Sequence, residues 1–171
     1  MEHPLFTQLK FTRSEFMRCI AGVSDAEALV RHGQMNCISW IIGHMANQEQ
    51  TYWLLLGQDK LLHPNLNSLV GTGKPASTPP LAEMLDVWYS ITNEADDYLQ
   101  TVTPELLQTH FVYKGQSRPE SIGTMLYRNI YHYWFHLGEN MAARKLMGHE
   151  GLGQFVGNID AEAPYTPETG G

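Results

Sequence analysis

Residues 119–148, PESIGTMLYRNIYHYWFHLGENMAARKLMG, decide how this chain folds. Proline and serine at the start and Gly148 at the end mark a helix of about residues 119–147. Arg144 and Lys145 fall in its last turn, where cations suit the helix dipole. Met125, Asn129, His132, His136 and Asn140 recur at spacings of three and four, so they share one face. Tyr133, Trp134 and Leu137 flank that face, which predicts that it looks inward or along a seam between helices.

A second stretch has the same character. In NCISWIIGHMANQEQTYWLLLG, residues 36–57, Asn36 is a good N-cap and Gly57 a stop. The inward stripe reads Cys37, Trp40, Ile41, His44, Gln48, Thr51, Tyr52 and Leu55, apolar at both ends and polar in the middle. Upstream, Leu5, Leu9, Phe16 and Ile20 make the stripe of a helix over about 5–21, closed by Gly22. Ser24 and Glu27 form a capping box for a short turn over residues 25–30. Downstream, Leu81, Leu85, Trp88, Ala95 and Leu99 line a helix over about 79–101, whose acidic residues predict a solvated outer face.

Between these helices, residues 57–80 are rich in Gly, Asn, Pro and Ser and read as a long structureless connection of the kind that carries function or moves. Thr103 and Pro104 open a short turn, and residues 109–118 read as an extended or looped link. Residues 150–171 hold five glycines and two prolines and read as irregular chain wrapped over the domain or partly disordered. Four long amphipathic helices with almost no strand signal predict an all-α four-helix bundle, one domain over residues 1–171.

Composition narrows the function. The 171 residues carry eighteen acids and eleven bases, a formal charge of −7, which argues against nucleic acid as a partner. No apolar run approaches the roughly 20 residues of a membrane span, so no membrane partner is expected. MEHPLFTQLK lacks a basic segment followed by an apolar core, so no secretory leader is expected. Cys19 and Cys37 form no CxxC and suit a reducing cytoplasm.

The eight histidines are the generous allotment. His132 and His136, four residues apart, project from one face about 6 Å apart along the axis, and His44 sits mid-stripe on a second helix. Two arrangements satisfy three such rings in an interior. Each can find its own hydrogen bond in an aromatic core, or all three can hold one divalent ion, as helix bundles do in their cores. The pairing of two inward faces favours the ion. No carboxylate or cysteine completes the set, Cys37 being two turns from His44, and three histidines alone form the open type of site that keeps a place for water or substrate. Imidazole donors suit zinc and nickel first. Asn129, Asn140, Gln48 and Thr51 lie on the right faces to hold the outer ring N–H groups. Cys37 reads as a small core residue. Trp40, Tyr52, Trp53, Trp88, Tyr133 and Trp134 read as core at helical spacing. His3, His32, His63, His110 and His149 are expected to be exposed.

NCISWIIGHMANQEQTYW and RNIYHYWFHLGENMAARKLMG resemble the DinB-like (damage-inducible, YfiT-type) four-helix metalloproteins, over nearly the whole chain to Gly148. The matching signature is one His in the second long helix and HxxxH in the fourth, here His44, His132 and His136. The resemblance implies a metal held by those three, often nickel or zinc, an up-down-down-up bundle, and frequently a homodimer. Characterised members of that family include S-transferases and an isomerase that use a low-molecular-weight thiol such as bacillithiol, mycothiol or glutathione. The expected chemistry is therefore thiol activation by the metal, with the 57–80 connection shaping the pocket for a second substrate. A metal-dependent hydrolase is the alternative, for which Glu49 and Glu139 are the near carboxylates, both off the ligand stripe. A non-catalytic metal- or ligand-binding protein is a third. Paired Glu-x-x-His motifs, HExxH, GxGxxG and Walker loops are absent.

Overall fold

The computed structural model describes residues 2–167. It is mostly helical, with one small two-stranded sheet. The long elements are α1 (Pro4–Ile20), α3 (Ile38–Glu49, continued as a π-helical segment over Gln50–Leu56), α5 (Leu81–Leu99) and α7 (Ile122–Leu146). Short helices α2 (Asp25–Ala28), α4 (Leu66–Val70), α6 (Pro104–Leu107) and α8 (Ile159–Glu162) lie between and after them. Helix α1 packs on α7 and α3 on α5, and α3 also meets α7, which joins the two pairs.

The helix starts follow from side chains that satisfy orphan backbone groups. The His3 Nδ1 accepts from Leu5 N, with Pro4 at the first helical position. Ser24 and Glu27 close the expected capping box on α2. Ser121 caps α7 by accepting from Thr124 N. The second long helix starts one residue later than expected, with Cys37 rather than Asn36 as its N-cap. Cys37 and Cys19 are both buried free thiols, and burial pushes both thiol pKa values up, that of Cys19 to about 11.

Every residue of α3 from Ile38 to Asn47 is buried, so this is the central helix. The π-helical turn after it adds one residue per turn and shifts the inward face. Trp53 and Leu54 are buried there, whereas Thr51, Tyr52 and Leu55 of the expected stripe are half-buried. Packed around α3 are Leu9 and Phe16 of α1, Met84 and Ile91 of α5, and Tyr133 of α7.

Two connections depart from the sequence reading, and the tail follows one of its two readings, wrapped over the domain, with a short helix added. Residues 57–80 are not structureless: they contain α4 and are pinned along their length. His63 exchanges two backbone bonds with the Gln50 amide, Ser77 Oγ donates to Leu69 O, and Ser39 Oγ donates to Pro79 O. Residues 109–118 begin an antiparallel hairpin of β1 (His110–Tyr113) and β2 (Gln116–Ser121), which takes up Pro119 and Glu120 and leaves α7 to start at Ile122. Its turn, Lys114-Gly115, has positive φ at both residues (50° and 75°), the backbone of a two-residue hairpin loop. Phe111 anchors the hairpin against Trp53 and Tyr98. The tail carries α8 and lies along α1: Gln8 donates to Ala163 O, Arg18 to Gln154 O, and Glu15 accepts from Gly157 N.

A buried polar network crosses the centre. Arg13 of α1 forks onto Glu49 of α3 through Nε and Nη2 and reaches Asp96 of α5 through Nη1 at 2.6 Å. Tyr133 of α7 donates to Glu49 at 2.6 Å, and Trp88 of α5 donates to Tyr133 at 2.8 Å. All four long helices are tied at this one point. Desolvation works against the Arg13 charge, but the Glu49 carboxylate overrides it and keeps the guanidinium pKa raised.

Candidate metal centre

His44 comes from the middle of α3, and His132 and His136 from adjacent turns of α7. Their donor nitrogens lie within 4.8 Å of one another. The Nε2 atoms of His132 and His136 are 2.9 Å apart, and His44 meets the two rings edge-on at centroid distances of 5.0 and 5.1 Å. His44 and His136 are buried, and His132 is half-buried.

The outer atoms of two rings are fixed. His44 Nδ1 lies 2.9 Å from Val70 O, the last residue of α4. A carbonyl only accepts, so that nitrogen carries the hydrogen and Nε2 presents its lone pair to the centre. His136 Nδ1 is held by Glu139 Oε2 at 2.5 Å, which aims its Nε2 the same way. Trp40 stacks on the His44 ring at 4.6 Å. Glu139 therefore does reach the centre, although three residues from His136 it lies beside the ligand stripe rather than on it.

Charge is consistent with this geometry. Burial lowers the pKa of His44, partly countered by the bond to Val70. Burial, then His44 and Arg128, lowers that of His132 to about 4. Burial, then the two neighbouring rings, lowers that of His136 to about 3. All three rings are neutral at pH 7, the form that binds a metal. The His136–Glu139 contact is accordingly a hydrogen bond rather than an ion pair, and burial raises the Glu139 carboxyl pKa. Three imidazoles whose donor nitrogens converge, with the outer N–H groups of His44 and His136 held, match the donor set of a divalent ion bound with open positions.

Other residues of interest fall as follows. Asn129 donates to Gln48 Oε1 and accepts from Trp53 Nε1, and Thr51 donates to Asn47 O. The Asn140 amide is fully buried with no hydrogen-bond partner among the described residues. The outer N–H groups are served by the Val70 carbonyl and Glu139. Of the histidines expected to be exposed, only His110 is. His3 is buried, and His32, His63 and His149 are half-buried, because caps and loop bonds fold them in. Of the aromatic set, Trp40, Trp53, Trp88 and Tyr133 are core residues, and Tyr52 lines a cavity.

That cavity, about 720 Å³, opens directly over His44 and His132. Helix α7 lines it with Thr124, Arg128, Tyr127 and Tyr131, α3 with Asn47 and Gln48, and the 57–80 connection with Asn67 and Thr72. The sequence did contain the α7 signal, since Thr124 and Arg128 precede His132 by eight and four residues on the same face.

Helical architecture and site together define a three-histidine helical protein able to hold a divalent ion. Residues 8–139 match the family model of the DinB superfamily, and the chain belongs to that superfamily. No curated protein matches it.

Proposed function

We propose that the protein is a metal-dependent thiol S-transferase of low-molecular-weight thiols. The observation that carries this is the convergence of three imidazoles, His44, His132 and His136, two of which, His44 and His132, open onto a cavity large enough for a small molecule. A divalent ion held there, zinc or nickel by donor type, supplies a Lewis acid that turns a thiol, of pKa about 8.5 when free, into a thiolate at neutral pH. The chain does the rest. Val70 O and Glu139 orient His44 and His136, Trp40 covers the His44 ring, and Tyr127 and Tyr131 line the cavity mouth. Transfer would form a sulfur–carbon bond at the electrophile while its leaving group departs with the bonding pair, the thiol proton passing to solvent.

Metal-assisted hydrolysis calls for a nearby general base to take the proton of the attacking water, and the near carboxylates are the candidates for it. Glu139 is held by His136, and Glu49 by Arg13 and Tyr133, so neither supports that reading. On the same basis we assign the four long helices an up-down-down-up order, with residues 57–80 as the crossover, and a cytoplasmic location. No helix among the described residues is long and apolar enough to cross a membrane. A homodimer is proposed as well: Tyr131, Phe135 and Leu146 are exposed along α7, and sedimentation tests the assembly.

The direct test is zinc- or nickel-loaded protein with a panel of biological thiols and an aryl halide electrophile. Conjugation above the rate of His132→Ala supports the reading. Equal rates across the panel defeat it, and loss of fold on chelation without any turnover favours a binding protein.

A further inference from the structure

The wall of the cavity has an unusual charge pattern for this chain. The protein carries eighteen acids and eleven bases, yet no acid lines the cavity and its one charged lining residue is Arg128. Arg128 stands one turn before His132 on α7, so guanidinium and ring serve the same recess. Burial raises the pKa of the Tyr52 hydroxyl in the cavity wall, with Arg128 and, more weakly, Arg118 of β2 working against it and Glu120 with it. The remaining lining is amide, hydroxyl and aromatic, which is neutral.

Arg128 is not idle. It forks onto the Glu120 carboxylate, Nε to Oε2 at 2.9 Å and Nη2 to Oε1. This is the paired-donor geometry by which arginine recognises a carboxylate. The Arg128 side chain is 53% exposed and that of Glu120 28%. The pair is reached by solvent on both sides, so another carboxylate can compete with Glu120 for the same two donors of the guanidinium.

We propose that the cavity takes a carboxylate-bearing small molecule, with Arg128 as its anchor and specificity-determining residue and Glu120 as the internal stand-in that the ligand displaces. This deepens the reading of the site as a thiol-activating centre and rests on it for the choice of probe. The ligand's soft end faces the three histidines and its acid end faces Arg128.

The experiment is calorimetric titration of the zinc-loaded protein with mercaptohexanoate and with mercaptohexanol, which share thiol and chain and differ only in the charge at the far end. The wild type is expected to bind the carboxylate about tenfold more tightly, the scale of one hydrogen bond to a charged group. Arg128→Gln removes the difference by weakening the carboxylate alone. Glu120→Gln widens it several-fold, a gain that no folding defect produces. Equal affinity in the wild type, or a difference that Arg128→Gln leaves in place, overturns the proposal and leaves thiol activation standing. If neither thiol binds while zinc remains bound, both readings fall.

Discussion

Each of the three imidazoles depends on one neighbour or on its burial for its state. Glu139→Gln keeps an acceptor for His136 Nδ1 but removes its charge, and the affinity for zinc is expected to fall by about tenfold, read by competition with a chelator. Burial sets the response to pH. His132 and His136 titrate near 4 and 3, below the ordinary 6.5, so below pH 6.5 the unfolded chain binds protons that the folded chain refuses. Stability of the metal-free protein is therefore full above pH 6.5 and declines as the pH falls toward 4 and 3. Urea midpoints across that range measure it, and His132→Ala should flatten the decline. The three histidines that could hold an ion were legible as a group in the sequence because two inward faces each carried imidazole where apolar side chains were due. Their outer partners were not, because one is a main-chain carbonyl 26 residues from His44 and the other a carboxylate beside the stripe.

Among the elements, the four long helices follow from apolar periodicity and from caps, and they fall within a few residues of where the pattern puts them. The π-helical turn escaped because its cause is tertiary: Trp53 must reach Asn129, Tyr98 and Phe111, which no local pattern encodes. The hairpin escaped because a Lys-Gly turn lacks the Asn-Gly signature and its strands are mostly exposed and polar. The connection over 57–80 escaped because side chain-to-backbone bonds order it. At Gly43 of α3 neighbouring elements come close, and an added Cβ would meet Met84 Sδ at 2.4 Å and Val70 Cγ1 at 3.2 Å. Gly43→Ala is expected to destabilise by about 1–3 kcal/mol through overpacking. It should also weaken zinc binding, because Val70 carries the carbonyl that holds His44. Thermal unfolding and metal titration of the one variant read both effects.

For the whole molecule, the Arg13–Glu49–Tyr133–Trp88 network is the strongest constraint on how the helices sit together. Nothing in the sequence announced it, since Arg13 and Glu49 lie 36 residues apart on helices whose buried polar residues show no pattern until packed. Arg13→Met leaves the Glu49 charge buried beside Tyr133 without its counter-ion and is expected to cost about 3–5 kcal/mol in denaturant titration. The hydrogen bond from His44 to Val70 has a consequence of another kind. It ties the His44 ring to the end of α4, so whatever steadies the ring steadies that surface segment, and the coupling runs equally in both directions. Amide deuterium uptake over residues 66–71 should slow on loading with zinc while the distant hairpin is unchanged, and cleavage of the backbone there should release the ion.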